Sequence, residues 1–355
     1  MTTQLPTSLV TGGAGFVGSH VAKRLISLGH RVIVLDDLSG GFEDQLPAEA
    51  SFVRGSVADS KLVAEVFRSH KIDYVYHLAA YAAEGLSHFI RHFNYTNNLL
   101  GSVNLINESV KSNVRCFVFT SSIAVYGRNQ LPMVEELAPQ PEDPYGISKY
   151  AVELDLKAAH ELFGLNYIVF RPHNVYGEHQ NLGDPYRNVI GIFMRQITTG
   201  EPLTVFGDGT QSRAFSHIDD VAPHIAASVA KQEAYNQVLN IGADSVFSIN
   251  ELISNLVEVT GGKPSIQYLP ARNEVHTAYA SHEKAQRLLG VSPTVSLHDG
   301  LSRMWGWAQS AGLRTSRLFD NIEIEKNLPP SWKSLATPNL GEALVPATAG
   351  PVYQS

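Results

Sequence analysis

A doubly wound parallel α/β sheet, followed by a smaller α/β lobe toward the C-terminus, is the fold that three features of this chain predict. Strand-like and helix-like patterns alternate through the first half, as parallel strands joined by crossover helices require. The first strand pattern runs straight into a glycine-rich turn that opens a helix. Beyond Pro172 the alternation loosens into shorter pieces, which suits a separate lobe.

The first strand is expected over 8–10 and leads into Thr11-Gly12-Gly13-Ala14-Gly15-Phe16-Val17-Gly18, with a helical pattern following through Val21, Leu25 and Ile26. Glycines at 12, 15 and 18 suit a tight turn, close backbone approach to a pyrophosphate, and close packing of helix on sheet. The helix N-terminus adds free N–H groups and the positive end of its dipole. A second strand, 31–35, ends at Asp36-Asp37. A carboxylate there accepts hydrogen bonds from an adenosine ribose and repels a 2′-phosphate, which favours NAD over NADP. Alone the glycine triplet is weak; after a strand, before a helix and one strand ahead of an acid it is strong.

Further strands are expected at 51–54, 73–77, 115–119 and 167–170, with helices between. Then come a helix from Tyr186 to Thr199, a strand at Leu203–Phe206, and helices from Asp219 to Ala230 and from Asn250 to Thr260. Residues 1–172 are read as the dinucleotide-binding domain, with exchange of a helix and strand with the second lobe left open. Residues 173–315 are read as the substrate lobe and 316–355 as an extension, flexible from about 336, where Pro, Ala and Gly recur without period.

The chain has 355 residues, 44% hydrophobic and 17% charged, and a net charge of −7. That balance, without a basic run, argues against nucleic acid or an anionic membrane as partner. No apolar stretch is long enough to span a bilayer, and a strand and glycine loop stand where a leader would. The one cysteine, Cys116, sits in a strand pattern, so an intramolecular disulfide is excluded and the cytoplasm is expected.

Chemistry centres on Pro144-Tyr145-Gly146-Ile147-Ser148-Lys149. On a helix opened by proline, Tyr145 and Lys149 share one face four residues apart. A nearby ammonium favours the phenolate, which suits Tyr145 to act as a general base.

Gly-x-x-Gly-x-x-Gly with Tyr-x-x-x-Lys resembles the short-chain dehydrogenase/reductase superfamily, whose fold is Rossmann-type. His77-Leu78-Ala79-Ala80, Thr120-Ser121-Ser122-Ile123-Ala124-Val125-Tyr126-Gly127, Arg171-Pro172-His173-Asn174-Val175-Tyr176-Gly177, Phe206-Gly207-Asp208-Gly209 and Arg213-Ala214-Phe215-Ser216-His217-Ile218-Asp219-Asp220 narrow it. Together they resemble the extended members acting on nucleotide sugars, and above all the UDP-glucose (UDP-galactose) 4-epimerases, over roughly residues 6 to 315. The resemblance implies that Ser122 bonds the sugar 4-OH and relays its proton to Tyr145, while Lys149 binds the nicotinamide ribose. Gly12, Gly15, Phe16, Val17 and Gly18 would cradle the pyrophosphate, and Asp36, with Asp37, Leu38 and Ser39, the adenosine ribose. Ser56, Val57, Leu78, Ala79, Ala80, Asn98 and Pro172 complete the implied cofactor cleft. Arg213 and Arg272 would clamp the substrate diphosphate, with Asn174, Asn188, Val189, Thr204, Phe206 and Glu274 around the nucleotide. The implied reaction inverts C4 through a transient 4-keto sugar with tightly held NAD. The implied assembly is a homodimer built on helices from Ser87 to Val110 and from Tyr145 to Leu162.

Departures from neighbouring families narrow the reaction. The 4,6-dehydratases carry Asp-Glu after the Ser/Thr, where Ile123 and Ala124 stand here, and the glucuronate decarboxylases carry Glu at the latter. The GDP-mannose 3,5-epimerases carry Cys at the position of Ala124. Ser56 replaces an Asp that contacts adenine. Glu84, facing the sugar, would favour a neutral hexose, with a solvated loop carboxylate as the equal alternative. Asn181 replaces an Arg that meets the carboxylate of a uronic acid. Ala278, where some members are bulky, leaves room for an acetamido group.

Blander readings apply elsewhere. His88 and His92 share a helix face without a third ligand, so no metal site is expected. Ser216-His217 with Asp219 imitates a hydrolase triad only in sequence, since strand neighbours point to opposite faces. Asp219 or Asp220 is expected to cap the next helix, and His77 to be structural. A nucleotide-sugar 4-epimerase with a UDP-glucose/UDP-galactose pair is therefore expected. UDP-N-acetylhexosamine or UDP-glucuronate is the alternative, and a non-catalytic NAD-binding sensor or scaffold the remote one.

Overall fold

The computed structural model describes residues 5–186, 188–271, 275–314, 322–330 and 332–333. Six strands, β1 (Thr7–Thr11), β2 (Arg31–Asp36), β3 (Ser51–Arg54), β4 (Tyr74–His77), β5 (Cys116–Thr120) and β6 (Tyr167–Pro172), fall within two residues of the sequence expectation. They pair in parallel in the order β6-β5-β4-β1-β2-β3. The order reverses between β1 and β4, and the crevice outside the strand C-termini at such a point is where ligands bind.

Apart from β3, a half-exposed edge strand, these strands read as near-continuous apolar runs because both sheet faces are covered. Val10 and Val118 join one core with Val21 and Leu25 of α1 (Phe16–Ser27). Leu9, Phe117 and Phe119 point the other way. They meet Val63 of α2 (Ser60–Ser69), and two helices that follow α3 (Glu84–Ser87) and α4 (Arg91–Tyr95) on that face. These are α5 (Gly101–Lys111), through Leu105, and α6 (Pro144–Phe163), through Val152 and Leu156. The helix expected from Ser87 to Val110 is interrupted: α4 passes through a π-helical turn at Thr96–Leu100 before α5 begins. Such a turn shifts the register of every side chain beyond it.

The second lobe carries β7 (Val175–Tyr176), α7 (Val189–Thr199), β8 (Leu203–Phe206), β9 (Ser212–Ala214) and β10 (Ser216–His217). The chain then returns to the first unit. Helix α8 (Ala222–Ala227) sends Ile225 and Ala226 into the α1 core, and β11 (Gln237–Ile241) pairs in parallel with β6 as the seventh strand of the main sheet. Both come from the stretch read as the substrate lobe. The lobe closes with β12 (Val246–Ser248), α9 (Ile249–Thr260), β13 (Ile266–Leu269), β14 (Thr277–Ala278), α10 (Glu283–Leu289) and α11 (Leu297–Ala311). Phe193, Leu252, Leu256, Leu301 and Met304 of α7, α9 and α11 form its own core.

Two sequence expectations are corrected here. The helix placed from Tyr186 begins at Val189, because Asn188 Oδ1 accepts the Ile190 amide and caps it there. The helix placed over 219–230 is a short α-helix between two 3-10 turns. A helix starting at Asp219 would need an N–H from Pro223, which has none. Nor do Asp219 and Asp220 cap α8. Asp220 accepts the Thr294 and Val295 amides, and Asp219 pairs with Arg303. The flexibility expected from about 336 falls outside the described residues. No helix among them is long and apolar enough to cross a membrane.

Candidate functional site

A cleft of about 740 Å³ runs along the C-terminal ends of β1, β2, β4, β5 and β6 and under the second lobe. Gly12 turns out of β1 at φ +70°, where a side chain is strained, and its Cβ would sit 2.7 Å from the Ala79 backbone. A Cβ on Gly18 would fall 2.0 Å from the Gly12 carbonyl oxygen. Gly15 caps α1 without a side-chain acceptor for its first amides. The open N-terminus of α1 therefore faces the cleft, which fits a pyrophosphate.

At the end of β2, Asp36 lines the cleft while accepting the Ala14 amide (3.0 Å) on Oδ2 and the Leu38 amide (2.8 Å) on Oδ1. Burial raises its pKa and those amide bonds oppose the rise. Lone pairs remain on both oxygens for a ribose diol. Asp37 and Ser39 line the cleft beside it; Leu38 does not, its φ of 59° serving the turn. Ser56 and Val57, expected near the adenine, line the cleft, and the Ser56 hydroxyl accepts the Ala58 amide (3.2 Å). Leu78, Ala79, Ala80 and Pro172 line the middle. These residues fit NAD.

The reacting end is set by the start of α6. Asp143 caps it through the Gly146 amide (2.9 Å), Pro144 stands in its first turn, and Ser87 Oγ accepts the Tyr145 amide (3.2 Å). One turn on, Lys149 is 2% exposed. Its Nζ donates to the Thr120 carbonyl (2.7 Å) and lies 4.7 Å from the Phe119 ring centre and 5.8 Å from that of Tyr145. Burial lowers its pKa to about 7, with Glu153 pulling upward. Ser122 reaches the same cleft from the end of β5, its Oγ accepting the Ala124 amide (3.1 Å). The sequence-predicted trio is thus brought to one wall.

Behind that wall lies a buried polar chain that the sequence reading did not single out. Ser121 Oγ donates to Glu153 Oε1 (2.5 Å), and Arg171 grips both carboxylate oxygens of Glu153 (3.0 and 2.5 Å). Burial opposes the charge on Arg171, yet Glu153 holds its pKa above the ordinary value. Both partners are buried, so losing either would strand a charge. The spacing Tyr145, Lys149, Glu153 along α6 was the available signal.

Several predicted residues act differently from expectation. Asn98 does not line the cleft: its Oδ1 accepts the Tyr81 amide (2.9 Å) and its Nδ2 donates to Tyr81 O and Asn94 Oδ1. Since Asn94 Nδ2 donates to Pro144 O (2.9 Å), Asn98 ties the loop after β4 to the start of α6. Ala278 packs with Ile123, Val125 and Met133, directly behind Ser122 of the cleft wall. Asn181 lines the cleft but donates to Gly40 O (3.3 Å), beside the loop after β2. Asn174, Asn188, Val189, Thr204, Phe206, Arg213 and Glu84 all line the cleft. The amides of Asn174 and Asn188 already donate to Ala214 O and Val175 O. Arg213 is held by donation to Ser212 O and His276 O (2.8 and 2.9 Å). Arg272 and Glu274 lie outside the described residues. Trp332 and Tyr186, also in the cleft wall, were missed.

The structural readings of two histidine motifs hold geometrically. His77 is buried between Thr11 Oγ1 (2.7 Å) and Ser102 Oγ (2.8 Å), and burial lowers its pKa to about 3. Ser216 accepts the Ala243 amide while His217 Nε2 faces Glu178 (3.3 Å), so they form no relay with Asp219.

Residues 8–242 match the model of the NAD dependent epimerase/dehydratase family. A putative UDP-glucose 4-epimerase of Methanocaldococcus jannaschii is 34% identical over 85% of this chain and 98% of its own length. The UDP-glucose 4-epimerase of Thermotoga maritima, solved with UDP-glucose, superposes with a TM-score of 0.81 at 36% identity, covering 86% of this chain and 99% of that one. The UDP-glucuronic acid 4-epimerase of Bacillus cereus, solved with UDP-glucuronic acid and NAD, gives 0.80 at 29% identity, covering 86% of this chain and all (100%) of that one.

Proposed function

The chain belongs to the NAD-dependent epimerase/dehydratase family, and we propose that within it this protein is a UDP-hexose 4-epimerase with UDP-glucose and UDP-galactose as its pair. One observation carries the reading. Ser122, Tyr145 and Lys149 share a cleft wall in which the two residues after Ser122 are Ile123 and Ala124, neither able to transfer a proton. Elimination of water or loss of a carboxylate needs a further acid or base at that place. Inversion at C4 needs only one.

Tyr145 takes the proton of the sugar 4-OH and later returns it, with the Ser122 hydroxyl bridging between them. Lys149 holds the nicotinamide ribose, and its charge favours negative charge on the Tyr145 oxygen. When bound, NAD supplies the oxidation at C4 and the reduction back, so the sugar passes through a 4-ketone. Gly12, Gly15 and Gly18 leave room for its pyrophosphate, and Asp36 takes its adenosine ribose. Arg213, beside Thr204 and Phe206, takes the substrate diphosphate. The roles of Arg272 and Glu274 rest on the sequence resemblance. The exposed carboxylate of Glu84 on the cleft wall favours a neutral hexose over a uronic acid. We also propose a homodimer through α6 and the helices before it, supported by exposed Ile147, Leu154 and Leu162 on α6 and Leu100 in the π-turn, and a cytoplasmic location, supported by the single buried thiol of Cys116.

The test is incubation of the purified protein with UDP-glucose, UDP-N-acetylglucosamine or UDP-glucuronate separately, without added cofactor, with products read by NMR. UDP-galactose from the first alone is the expected result. Conversion of another substrate in its place would move the reading to that sugar, and conversion of none, even with NAD added, would refute it. Tyr145→Phe should keep NAD bound while turnover falls by about three powers of ten or more, the scale of a general base. Near-normal turnover would remove Tyr145 from that role.

A further inference from the structure

Chain beyond residue 315, outside the stretch that resembles the family, returns to the reacting end of the cleft. The Glu323 carboxylate accepts the His92 and Phe93 amides (2.7 and 2.8 Å) at the start of α4, and the Glu323 amide donates to Phe89 O (2.9 Å). Leu328 and Trp332 then pack with Leu86, Ile90 and Tyr186. The Trp332 ring stands edge-on to Phe89 (6.2 Å) and to Tyr186 (5.4 Å). It is so close to α3 that a Cβ on Gly85 would lie 3.2 Å from it.

This contact places Trp332 against α3, which lines the cleft through Glu84 and Gly85. Two residues after Gly85 on the same short helix, Ser87 holds the Tyr145 amide, so the indole packs on the segment that positions Tyr145. Trp332 is 6% exposed and Tyr186 8%, and both line the cleft. The Tyr186 hydroxyl is buried without a hydrogen-bond partner among the described residues. An unpaired buried hydroxyl is unfavourable, and a ligand hydroxyl beside it would relieve that.

We propose that Trp332 and Tyr186 form a sugar-reading wall that this chain's C-terminal extension adds to the site. The indole packs against the hexose and leaves no space for an acetamido group in place of a hydroxyl. The Tyr186 hydroxyl pairs with a sugar hydroxyl. The proposal rests on the reading of the substrate as a UDP-hexose.

The experiment is calorimetric binding of UDP, UDP-glucose and UDP-N-acetylglucosamine to the full-length protein and its variants. Trp332→Ala is expected to weaken UDP-glucose about tenfold and to shift the affinity ratio toward UDP-N-acetylglucosamine by about tenfold, the scale on which a pocket discriminates by shape. UDP alone should bind the variant within about twofold of the parent, and Trp332→Phe should restore most of the selectivity. Tyr186→Phe keeps the packing and removes one hydroxyl. It should weaken UDP-glucose by about three- to tenfold, the range of one hydrogen bond, again sparing UDP. Unchanged selectivity in both variants, or equal weakening of UDP and UDP-glucose, would overturn the wall. Because binding is read without turnover, UDP-glucose that binds selectively but is never epimerised refutes the function and leaves the wall standing. Epimerisation with selectivity untouched by either variant does the reverse, and a parent protein that binds neither sugar nucleotide refutes both.

Discussion

Lys149 combines two demands that conflict: a cation at the reacting end and near-complete burial. Burial wins far enough to bring its pKa from 10.5 to about 7. The unfolded chain therefore binds a proton that the folded chain lacks between about pH 7 and 10.5, and stability rises with pH across that window. Lys149→Met should flatten that rise, measured as urea unfolding at pH 7 and pH 9. An undiminished slope would mean that another group carries it. Residue types were largely legible in sequence, but their use was not. Asn174 and Asn188, expected around the nucleotide, line the cleft, while Asn98, expected in the cofactor cleft, does not. Their amides are nonetheless engaged with backbone, because a buried amide pairs with whatever carbonyl the fold brings to it. No local pattern encodes that carbonyl.

Helix α6 shows what an element must satisfy. One face buries Val152, Leu156 and Ala159 against the sheet and sets Tyr145 and Lys149 in the cleft. The outer face exposes Ile147, Leu154 (51%) and Leu162 (74%), joined by Leu100 (55%) from the neighbouring π-turn. Apolar stripes on both sides of one helix signal a second partner. Leu154→Asp with Leu162→Asp should convert a dimer to a monomer in light scattering, with the fold retained by circular dichroism. A parent protein that is itself monomeric would sink the assignment. The helix boundaries were readable from Pro144 and from the αL glycine, Gly164, at its end. The interruption at Thr96–Leu100 was not, since a π-turn depends on packing over several turns and not on composition.

At the scale of the molecule, the cleft draws its walls from the sheet, the second lobe and the C-terminal extension at once. The seventh strand β11 and helix α8 bind the two parts of the chain into one body. Cofactor binding should therefore stabilise the whole and not one lobe. Removing NAD should lower the melting temperature by about 5 °C or more, on the scale of a ligand held well above its dissociation constant. A single transition should persist in calorimetry, and added NAD should restore the original value. Two separate transitions, only one of them responding to NAD, would contradict this coupling.

Whatever depends on short spacing was settled by the sequence itself. Glycines 12 and 18 are needed because side chains there would strike the Ala79 backbone or the turn's own backbone, and Tyr145 and Lys149 meet because 3.6 residues make a turn. Most of the expected strands followed from apolar runs bounded by turn residues; 51–54, at the sheet edge, is only partly apolar. Tertiary structure decided what joins distant stretches: β11 entering the sheet, Asn98 fastening Tyr81, Ala278 packing on Ile123, and Trp332 returning from beyond residue 315 to meet Gly85. Each is a contact between residues far apart in the chain, selected by burial and hydrogen-bond pairing in the folded whole, and neither quantity exists until the chain has folded.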